Sequence, residues 1–453
     1  MITKIARNSL TNLFFFIFIV GYNISLSQNP IIPDKGVNDP HIRIIDDRAY
    51  LAASHDRSSK NKTFEMDDWW LWSSDNLVDW HLVKKLSPEE TYIGKPYSKC
   101  WATDIVKRNN KYYWYFSEAN INSGVVMAED PMGPWIDPLG EPLLKEDLTP
   151  TKEYDMGIFE DVDGGFYIVF GIWDYYIAKL NDDMISLAEA PKKITVSNPR
   201  GPYNLCGTRK EKTTDDKPFM HYYNKKYYLS WGCFYAISDN VYGPYDYKGS
   251  IIESKSFAHG YDSPTWPNGF KQGRHGSFFT WHNQWYFAYC DMSQTGNRYF
   301  RDTFISYVNY RENGEIALIR VDGIGVGNFD INKGDINAVE YFKSVGVKKI
   351  ENTDGTFSIS EIGDKDFLVY NKIKGLKGKK YIKFTGEFNH NFKIEARLDS
   401  PNGELIGTYN FDHRNKIDEY EFKFLPINDT INLCILFRGE KDKFGDLKKI
   451  SFR

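Results

Sequence analysis

The chain has 453 residues, with 57 Lys and Arg against 61 Asp and Glu and a formal net charge of −4. This length predicts two domains, and the lack of a basic stripe argues against nucleic acid as a partner. Aromatic residues make up 16% of the chain, a share that suits all-β packing and surfaces on which sugars stack.

The N-terminus resembles a secretory signal. Basic residues precede an apolar run from Leu13 to Val20, and small residues follow as far as Ser27. This order is typical of a signal peptide. We predict that residues 1–27 are removed and that the protein is exported, either to the periplasm or out of the cell. A membrane anchor is the alternative, but the apolar run is short for a bilayer span.

The cysteines are widely spaced and include no CxxC pair, which argues against a disulfide scaffold or a zinc ribbon. They are Cys100, Cys206, Cys233, Cys290 and Cys434. Because their number is odd, at least one thiol is left outside any intramolecular pairing.

A strand, a tight polar turn and an aromatic strand recur five times, as in "IVKRNNKYYWYFS" and "FMHYYNKKYYLSWG". The aligned aromatic positions are Tyr50, Tyr113, Tyr167, Tyr228 and Tyr286, spaced by 54 to 63 residues. Five hairpins at a near-constant period predict a five-bladed β-propeller over residues 28–330. A pair of β-sandwiches is the alternative, but it does not explain the five repeats.

The repeat stops near residue 330, and many short strands with turn signals follow, such as "FLVYNKI" and "INLCILFRG". This pattern predicts a β-sandwich over residues 335–453.

Three acidic residues precede or lie on inner strands of different blades: Asp39 in "NDPH", Asp104 in "WATDIV" and Asp216 in "TDDKPF". A lone Asp before a strand is usually a turn former, but three at matching positions can converge on one axial pocket. Converging carboxylates suit glycoside hydrolysis, in which one is ionised to activate water and another is protonated to assist the leaving oxygen. The sequence therefore predicts a hydrolytic site at the mouth of the channel.

Four phrases, in order, resemble glycoside hydrolase family 43 over residues 28–325: "NPIIPDKGVNDPHIRIIDDRAYLAAS", "WATDIV", "DPMGPWIDPLGEPLL" and "HGSFFTWHNQWYFAYCDMS". The resemblance implies a five-bladed propeller and inverting hydrolysis of β-D-xylosides or α-L-arabinofuranosides in plant or algal polysaccharides. It also implies that Asp39 is the general base and that Asp104 tunes the pKa and orientation of the acid.

The same resemblance implies that His275, in "GRHGS", lies near the channel axis and helps to hold calcium or another ion through water. Arg301 and Trp101 are predicted to contact the sugar. The alternatives are a buried histidine bonded to the backbone and, for Arg301, a surface salt bridge.

One position departs from the family. The general acid there is a Glu in a Glu-Gly-Pro-like phrase, and the matching place here holds Asp216, whose side chain is one methylene shorter. Glu211 and Asp215 are nearby substitutes, so the identity of the acid stays open. An inverting pair needs about 6.5–9.5 Å between its carboxyl groups, and we expect Asp39 and Asp216 to face one pocket at that separation. The competing hypothesis is a non-catalytic glycan-binding propeller that lost its acid.

The second domain resembles carbohydrate-binding module family 6 in "INAVEYFKSVGV", "LDSPNGELIG" and "LCILFRGEKDKFGDLKKISF". That resemblance implies a structural calcium site at Glu340 and Asp446. The alternative is a sandwich that only supports the propeller. No organic cofactor is expected.

Overall fold

The computed structural model describes residues 29–199, 214–252, 275–292, 295–319, 323–412, 419–425, 428–440 and 443–453. The predicted signal peptide, Cys206 and Glu211 lie outside these ranges. Strands dominate, and the helical structure within the described ranges is a 3-10 turn at Pro88–Glu90. None of the described segments forms a helix with the length and apolar character needed to cross a membrane.

Five sheets, antiparallel except for one short parallel pair, follow one another along the first 308 residues. The first sheet contains β1 Val37–Ile45, β2 Arg48–Asp56, β3 Met66–Ser74 and β4 His81–Leu86. The second contains β5 Cys100–Arg108, β6 Lys111–Glu118 and β7 Asn122–Ala128. The third is β8 Gly157–Glu160, β9 Phe166–Phe170, β10 Tyr176–Lys179 and β11 Lys192–Lys193. The fourth is β13 Pro218–Tyr223, β14 Lys226–Trp231, β15 Phe234–Ser238 and β16 Tyr245–Ser250, with β12 Val196–Ser197 parallel to β16. The fifth is β17 Gly276–Trp281, β18 Gln284–Asp291 and β19 Asp302–Val308.

The first strands of the five sheets form a closed ring. Strand β1 contacts β5, β5 contacts β8, β8 contacts β13, β13 contacts β17, and β17 returns to β1. The prediction of a five-bladed β-propeller is therefore confirmed, and the pair of sandwiches over this region is wrong.

Each predicted hairpin joins the first and second strands of a blade. Four of the hairpins turn on two residues that both have positive φ, as in the mirror-image turns whose twist matches paired strands. These pairs are Asp46–Asp47, Asn109–Asn110, Asn224–Lys225 and His282–Asn283. The five aligned tyrosines lie on the second strands and are buried, which explains why the aromatic phrase recurs.

The start of the described chain closes the ring from outside. The Asn29 side chain donates to the Ile305 carbonyl and accepts from the Ile305 amide, both at 2.9 Å, and the Ile31 amide donates to the Thr303 carbonyl. These bonds lay the N-terminal segment beside β19, so the first and last parts of the propeller hold each other.

Two further sheets pack face to face and form the predicted β-sandwich. One contains β20 Ile336–Asn337, β22 Lys348–Glu351, β23 Phe357–Ser360, β25 Tyr381–Phe388, β28 Glu419–Lys423 and β30 Gly445–Phe452. The other contains β21 Lys343–Val345, β24 Phe367–Lys374, β26 Phe392–Leu398, β27 Leu405–Phe411 and β29 Thr430–Arg438. One apolar core draws buried residues from both sheets.

The sandwich docks on the fifth blade of the propeller. The Gln284 side-chain amide donates to the carbonyls of Val339 and Tyr341 at 2.8 and 3.0 Å, and the Tyr341 hydroxyl donates to the Asn283 carbonyl. The four described cysteines are buried and form no disulfide with one another.

Candidate active site

A pocket of about 170 Å³ lies at one mouth of the propeller channel. Its lining consists of Asp39, Phe64, Met66, Trp101, Asn120, Tyr154, Asp155, Asp216, His275 and Arg301. Pockets that enclose drug-sized ligands measure about 300–1,000 Å³, so this one suits a single small ring. The structure therefore brings Asp39, Asp216, His275, Arg301 and Trp101 together, as the sequence predicted.

Asp39 reaches the pocket from an irregular part of β1. The pairing of β1 with β2 shifts between Asn38 and His41, and Asp39 has a φ of 49°. A non-glycine residue in this region costs about 1–3 kcal/mol and persists where its surroundings hold it. The backbone at Asp39 is thus bent in the way that functional sites often require, and its carboxylate points to the axis rather than along the sheet.

Four side chains fix the Asp39 carboxylate. Oδ2 accepts from Ser54 Oγ at 3.1 Å, and Oδ1 accepts from His275 Nδ1 at 2.9 Å and Arg301 Nη1 at 3.1 Å, with Cys290 Sγ 3.8 Å away. Burial would raise the pKa of Asp39, but the charge of Arg301 and the bond from His275 outweigh it and hold that pKa far below its usual range. These contacts therefore favour the ionised form of Asp39.

Arg301 is shared between two carboxylates. Besides Asp39, its Nε and Nη2 donate to the two carboxylate oxygens of Asp56 at 3.2 Å each, and its backbone amide donates to Asp56 at 2.8 Å. Burial raises the pKa of Asp56 to about 6, and Arg301 limits that rise. The guanidinium lines the pocket and bridges the two carboxylates, with Nη1 donating to Asp39 while Nε and Nη2 donate to Asp56. The predicted alternative, an exposed salt bridge, does not describe this buried group.

His275 stands between two carboxylates. Its Nδ1 faces Asp39, and its Nε2 forms a close ion pair with Asp216 Oδ1. Burial alone would lower the pKa of His275, but the charge of Asp216 and its bonds to both acids raise it well above the usual value. The imidazole is therefore protonated, and one ring separates the two acids that the sequence paired. Their separation of about 6.5–9.5 Å stays a prediction.

Asp155 is a pocket carboxylate that the sequence analysis missed. One carboxylate oxygen each of Asp155 and Asp216 and a ring nitrogen of His275 lie within 4.8 Å of one another. Burial and the charge of Asp216 raise the pKa of Asp155 well above its usual value. The repeat pattern could have identified Asp155, because it comes two residues before β8 just as Asp216 comes two residues before β13.

Asp104 lies outside the pocket lining. It is fully buried, and it accepts from Arg43 Nε at 3.0 Å and from the Ile158 amide at 2.8 Å, while His41 Nδ1 is 3.1 Å away. Burial opposes the charged form of Asp104, but Arg43 holds its pKa well below the usual range. These contacts tie together strands of the first three blades, and the third pocket acid is Asp155 instead.

The remaining predicted residues do not form part of this pocket. Asp215 is buried but absent from its lining. Glu340 Oε1 accepts from Asn337 at 2.9 Å, and neither Glu340 nor Asp446 belongs to a cluster of three metal-binding side chains in the described ranges. Calcium at these two residues therefore stays a prediction.

Comparison with known proteins places this geometry in a family. The model of the glycosyl hydrolases family 43 matches residues 27–316. The chain belongs to glycosyl hydrolases family 43. Family 43 membership makes it a glycoside hydrolase that acts on carbohydrate.

Three relatives show how far the likeness extends. An arabinoxylan arabinofuranohydrolase from Paenibacillus polymyxa is 24% identical over 91% of this chain and 72% of its own length. A xylosidase/arabinosidase from Bacteroides ovatus is 27% identical over 49% of this chain and 80% of its own. A family 43 arabinoxylan arabinofuranohydrolase structure from Bacillus subtilis, solved with cellotetraose, has a TM-score of 0.54 at 20% identity, covering 94% of this chain and 97% of that one. This last likeness shows that the fold is shared across both domains.

Proposed function

We propose that this family 43 enzyme removes single pentosyl units from xylan-type glycans, as a β-xylosidase or an α-L-arabinofuranosidase, with inversion at the anomeric carbon. The observation that carries the proposal is the placement of Asp39 and Asp216 on opposite sides of His275 in one small pocket. The names of the relatives from Paenibacillus polymyxa and Bacteroides ovatus support the choice of pentose.

In the proposed mechanism, Asp39 is the general base. It is ionised, and its carboxylate is held by donors from Ser54, His275 and Arg301. It takes a proton from a water molecule, whose oxygen attacks the anomeric carbon as the bond to the leaving oxygen breaks. Inverting enzymes keep about 6.5–9.5 Å between acid and base to leave room for this water.

Asp216 is the proposed general acid, and the neighbouring Asp155 is proposed to tune its acidity. The Asp216 side chain is 14% exposed, whereas Asp155 is 4% exposed, so Asp216 is the one that reaches substrate. Burial and the nearby charge of Asp216 raise the pKa of Asp155 well above its usual value, so Asp155 favours its neutral form beside the acid. Asp155 therefore fills the role that the sequence analysis gave to Asp104, and Tyr154, whose hydroxyl is 3.5 Å from Asp216 Oδ2, steadies the acid.

Aromatic side chains form the wall on which a sugar ring would stack. Trp101 and Tyr154 have ring centroids 5.9 Å apart, and Phe64 packs edge-on near Trp101 at 6.4 Å. The small volume behind this wall supports removal of terminal units rather than cleavage inside a chain. We also propose that the sandwich resembles carbohydrate-binding module family 6 in function and binds glycan, with domain limits at 28–330 and 335–453.

Release of nitrophenol from aryl β-D-xyloside and aryl α-L-arabinofuranoside tests the proposal. The full chain should hydrolyse at least one of them, and the Asp39→Asn variant should hydrolyse neither at a comparable rate. A folded chain that binds xylan fragments but cleaves neither substrate would favour the non-catalytic glycan-binding propeller. Export is tested by mass spectrometry of the protein secreted by its host, where we expect residues 1–27 to be missing.

A further inference from the structure

Asn120 is a polar residue of the active-site pocket that the proposed mechanism does not use. It lines the pocket together with Trp101, and it is exposed. Its side-chain amide forms no hydrogen bond with any other residue in the described part of the chain. A carboxamide carries one acceptor oxygen and two donor hydrogens, and at Asn120 all of them are open to a bound molecule.

The turn that carries Asn120 is held firmly in place. It joins β6 to β7, and Asn122 Nδ2 donates to Glu118 Oε2 at 2.7 Å across its base. Ala119 is buried and has a φ of 49°, which is uncommon for a residue with a side chain. The Ala119 amide donates to the Lys99 carbonyl at 2.9 Å, next to β5. The neighbours of Asn120 therefore fix the turn, and Asn120 is the residue that the turn presents to the pocket.

The charged groups of the pocket lining bind one another. Arg301 Nη1 donates to Asp39 at 3.1 Å. One ring nitrogen of His275 faces Asp39 and the other faces Asp216, so neither nitrogen is free to hold the calcium ion that the family resemblance implied. Small-molecule sites use a few placed polar groups to fix the orientation of the ligand. In this pocket the neutral amide of Asn120 is such a group, because it has no protein partner among the described residues.

Asn120 lies across the pocket from the proposed general acid. It belongs to the second blade, whereas Asp216 precedes the inner strand of the fourth. Strand β5 contacts β1 and β8, and β13 contacts β8 and β17, so the second and fourth blades are not neighbours in the ring. Because the acid protonates the leaving oxygen, the leaving group belongs on the side of the fourth blade. Asn120 therefore faces the sugar unit that is removed.

We infer that Asn120 is a specificity-determining residue, whose amide hydrogen-bonds a hydroxyl group of the terminal pentosyl unit. This inference rests on the proposed function. A sugar hydroxyl both donates and accepts hydrogen bonds, and the carboxamide matches either role. The second blade thus recognises the sugar, while the acids and the base that act on the glycosidic bond come from other blades.

Kinetics with the nitrophenyl pentoside that the wild type hydrolyses, and with its monodeoxy analogues, test this contact. Asn120→Ala should lower kcat/KM on the parent pentoside by about five- to tenfold, the contribution of one neutral hydrogen bond. On the analogue that lacks the contacted hydroxyl, the same substitution should change kcat/KM by less than about twofold, because that bond is already absent. Asn120 is exposed, so the variant should fold, and circular dichroism checks this.

Asn402→Ala is the matched control. Asn402 is an exposed asparagine between β26 and β27 of the sandwich, and its replacement should leave kcat/KM unchanged. Unaltered kinetics of Asn120→Ala, or an equal loss on the parent pentoside and on every monodeoxy analogue, would overturn the inference.

A binding measurement separates failure of this inference from failure of the proposed function. If the wild type hydrolyses no pentoside, the proposed function is wrong, and calorimetric titration with arabinoxylan oligosaccharides decides the role of Asn120. Weaker binding by Asn120→Ala than by Asn402→Ala would support the contact, since any glycan bound by the sandwich contributes equally to both. Equal binding by the two variants, or no binding at all, would contradict it.

Discussion

Nδ1 of His275, from the fifth blade, donates to Oδ1 of Asp39, from the first blade, at 2.9 Å. The bond joins the two ends of the ring of blades, so the base acquires its environment only when the propeller closes. The bonds of Asn29 to Ile305 close the same seam from outside. Stability of the closure and ionisation of the base are therefore coupled in this fold.

Replacing Asp39 by Asn should leave the fold intact and lower kcat by about a hundredfold or more, the scale of losing acid–base assistance. Circular dichroism and steady-state kinetics on an aryl pentoside measure the two effects. Asp75→Asn is the control, because Asp75 is an exposed residue paired with Arg48 and should retain full activity. Near-normal turnover by folded Asp39→Asn would remove Asp39 from the mechanism.

Replacing Asp216 by Asn should affect substrates according to their leaving groups. A nitrophenolate leaves without protonation, so hydrolysis of an aryl pentoside should survive far better than hydrolysis of a xylo-oligosaccharide, which needs the acid. The ratio of kcat/KM for the two substrates, measured in wild type and variant, reports this difference. Equal losses on both substrates would argue against Asp216 as the acid.

Asp155 and Asp104 should differ in what their Asn variants lose. Asp155→Asn should keep stability and lose at least about a hundredfold in kcat/KM on a natural glycan, because the acid loses the group that sets its proton. Asp104→Asn should cost about 3 kcal/mol of unfolding free energy, since it leaves Arg43 without its buried partner.

Urea unfolding and kinetics on both variants separate these roles. The reverse outcome, with Asp104→Asn stable but inactive and Asp155→Asn active, would restore Asp104 as the residue that tunes the acid.

His221 should make the fold sensitive to acid. It is buried, it stacks on Phe278 with ring centroids 4.3 Å apart, and burial lowers its pKa to about 3. Since the unfolded chain takes up the proton near pH 6.5, stability falls as pH drops below 6.5 and continues to fall until pH reaches about 3. Between pH 7 and pH 5, this one group should lower the free energy of unfolding by about 2 kcal/mol.

The comparison of wild type with His221→Gln isolates the contribution of His221 to the pH dependence of stability. The variant should be less stable overall, since it loses stacking, but its unfolding free energy should change by about 2 kcal/mol less between pH 7 and pH 5. If the unfolding free energies of the two proteins depend equally on pH, His221 does not cause the sensitivity to acid.

The sequence was sufficient for the fold because local patterns determined it. Each blade carries its own polar turn and buried tyrosine, so the period was visible without any long-range contact. The same regularity indicated Asp39, which lies on an inner strand, and Asp216, which lies just before one. Glu211 and Asp215 were open alternatives for the acid, and of the described residues it is Asp216 that lines the pocket.

The partners of each acid could not be read from the chain. Asp104 was chosen because it lies on an inner strand, but side chains alternate between the faces of a strand. The side chain of Asp104 points to Arg43 and His41 rather than to the mouth. Asp155, in "EYDMGIFEDVDGGF", lies just before a hairpin whose pattern indicates only strands and a turn, so only its match in position to Asp216 marks it as a pocket acid. The contact of His275 with two acids also depends on ring closure, which joins residues 236 positions apart.

The anomeric form of the first product tests the central claim most directly. Time-resolved proton NMR of arabinoxylan oligosaccharides with wild-type enzyme should show a free pentose whose anomeric configuration is the opposite of the bond cleaved, before mutarotation mixes the two forms. Asp39→Asn should give no such signal on the same timescale. Release of pentose with retained configuration, or no release from any xylose- or arabinose-bearing oligosaccharide, would contradict the account.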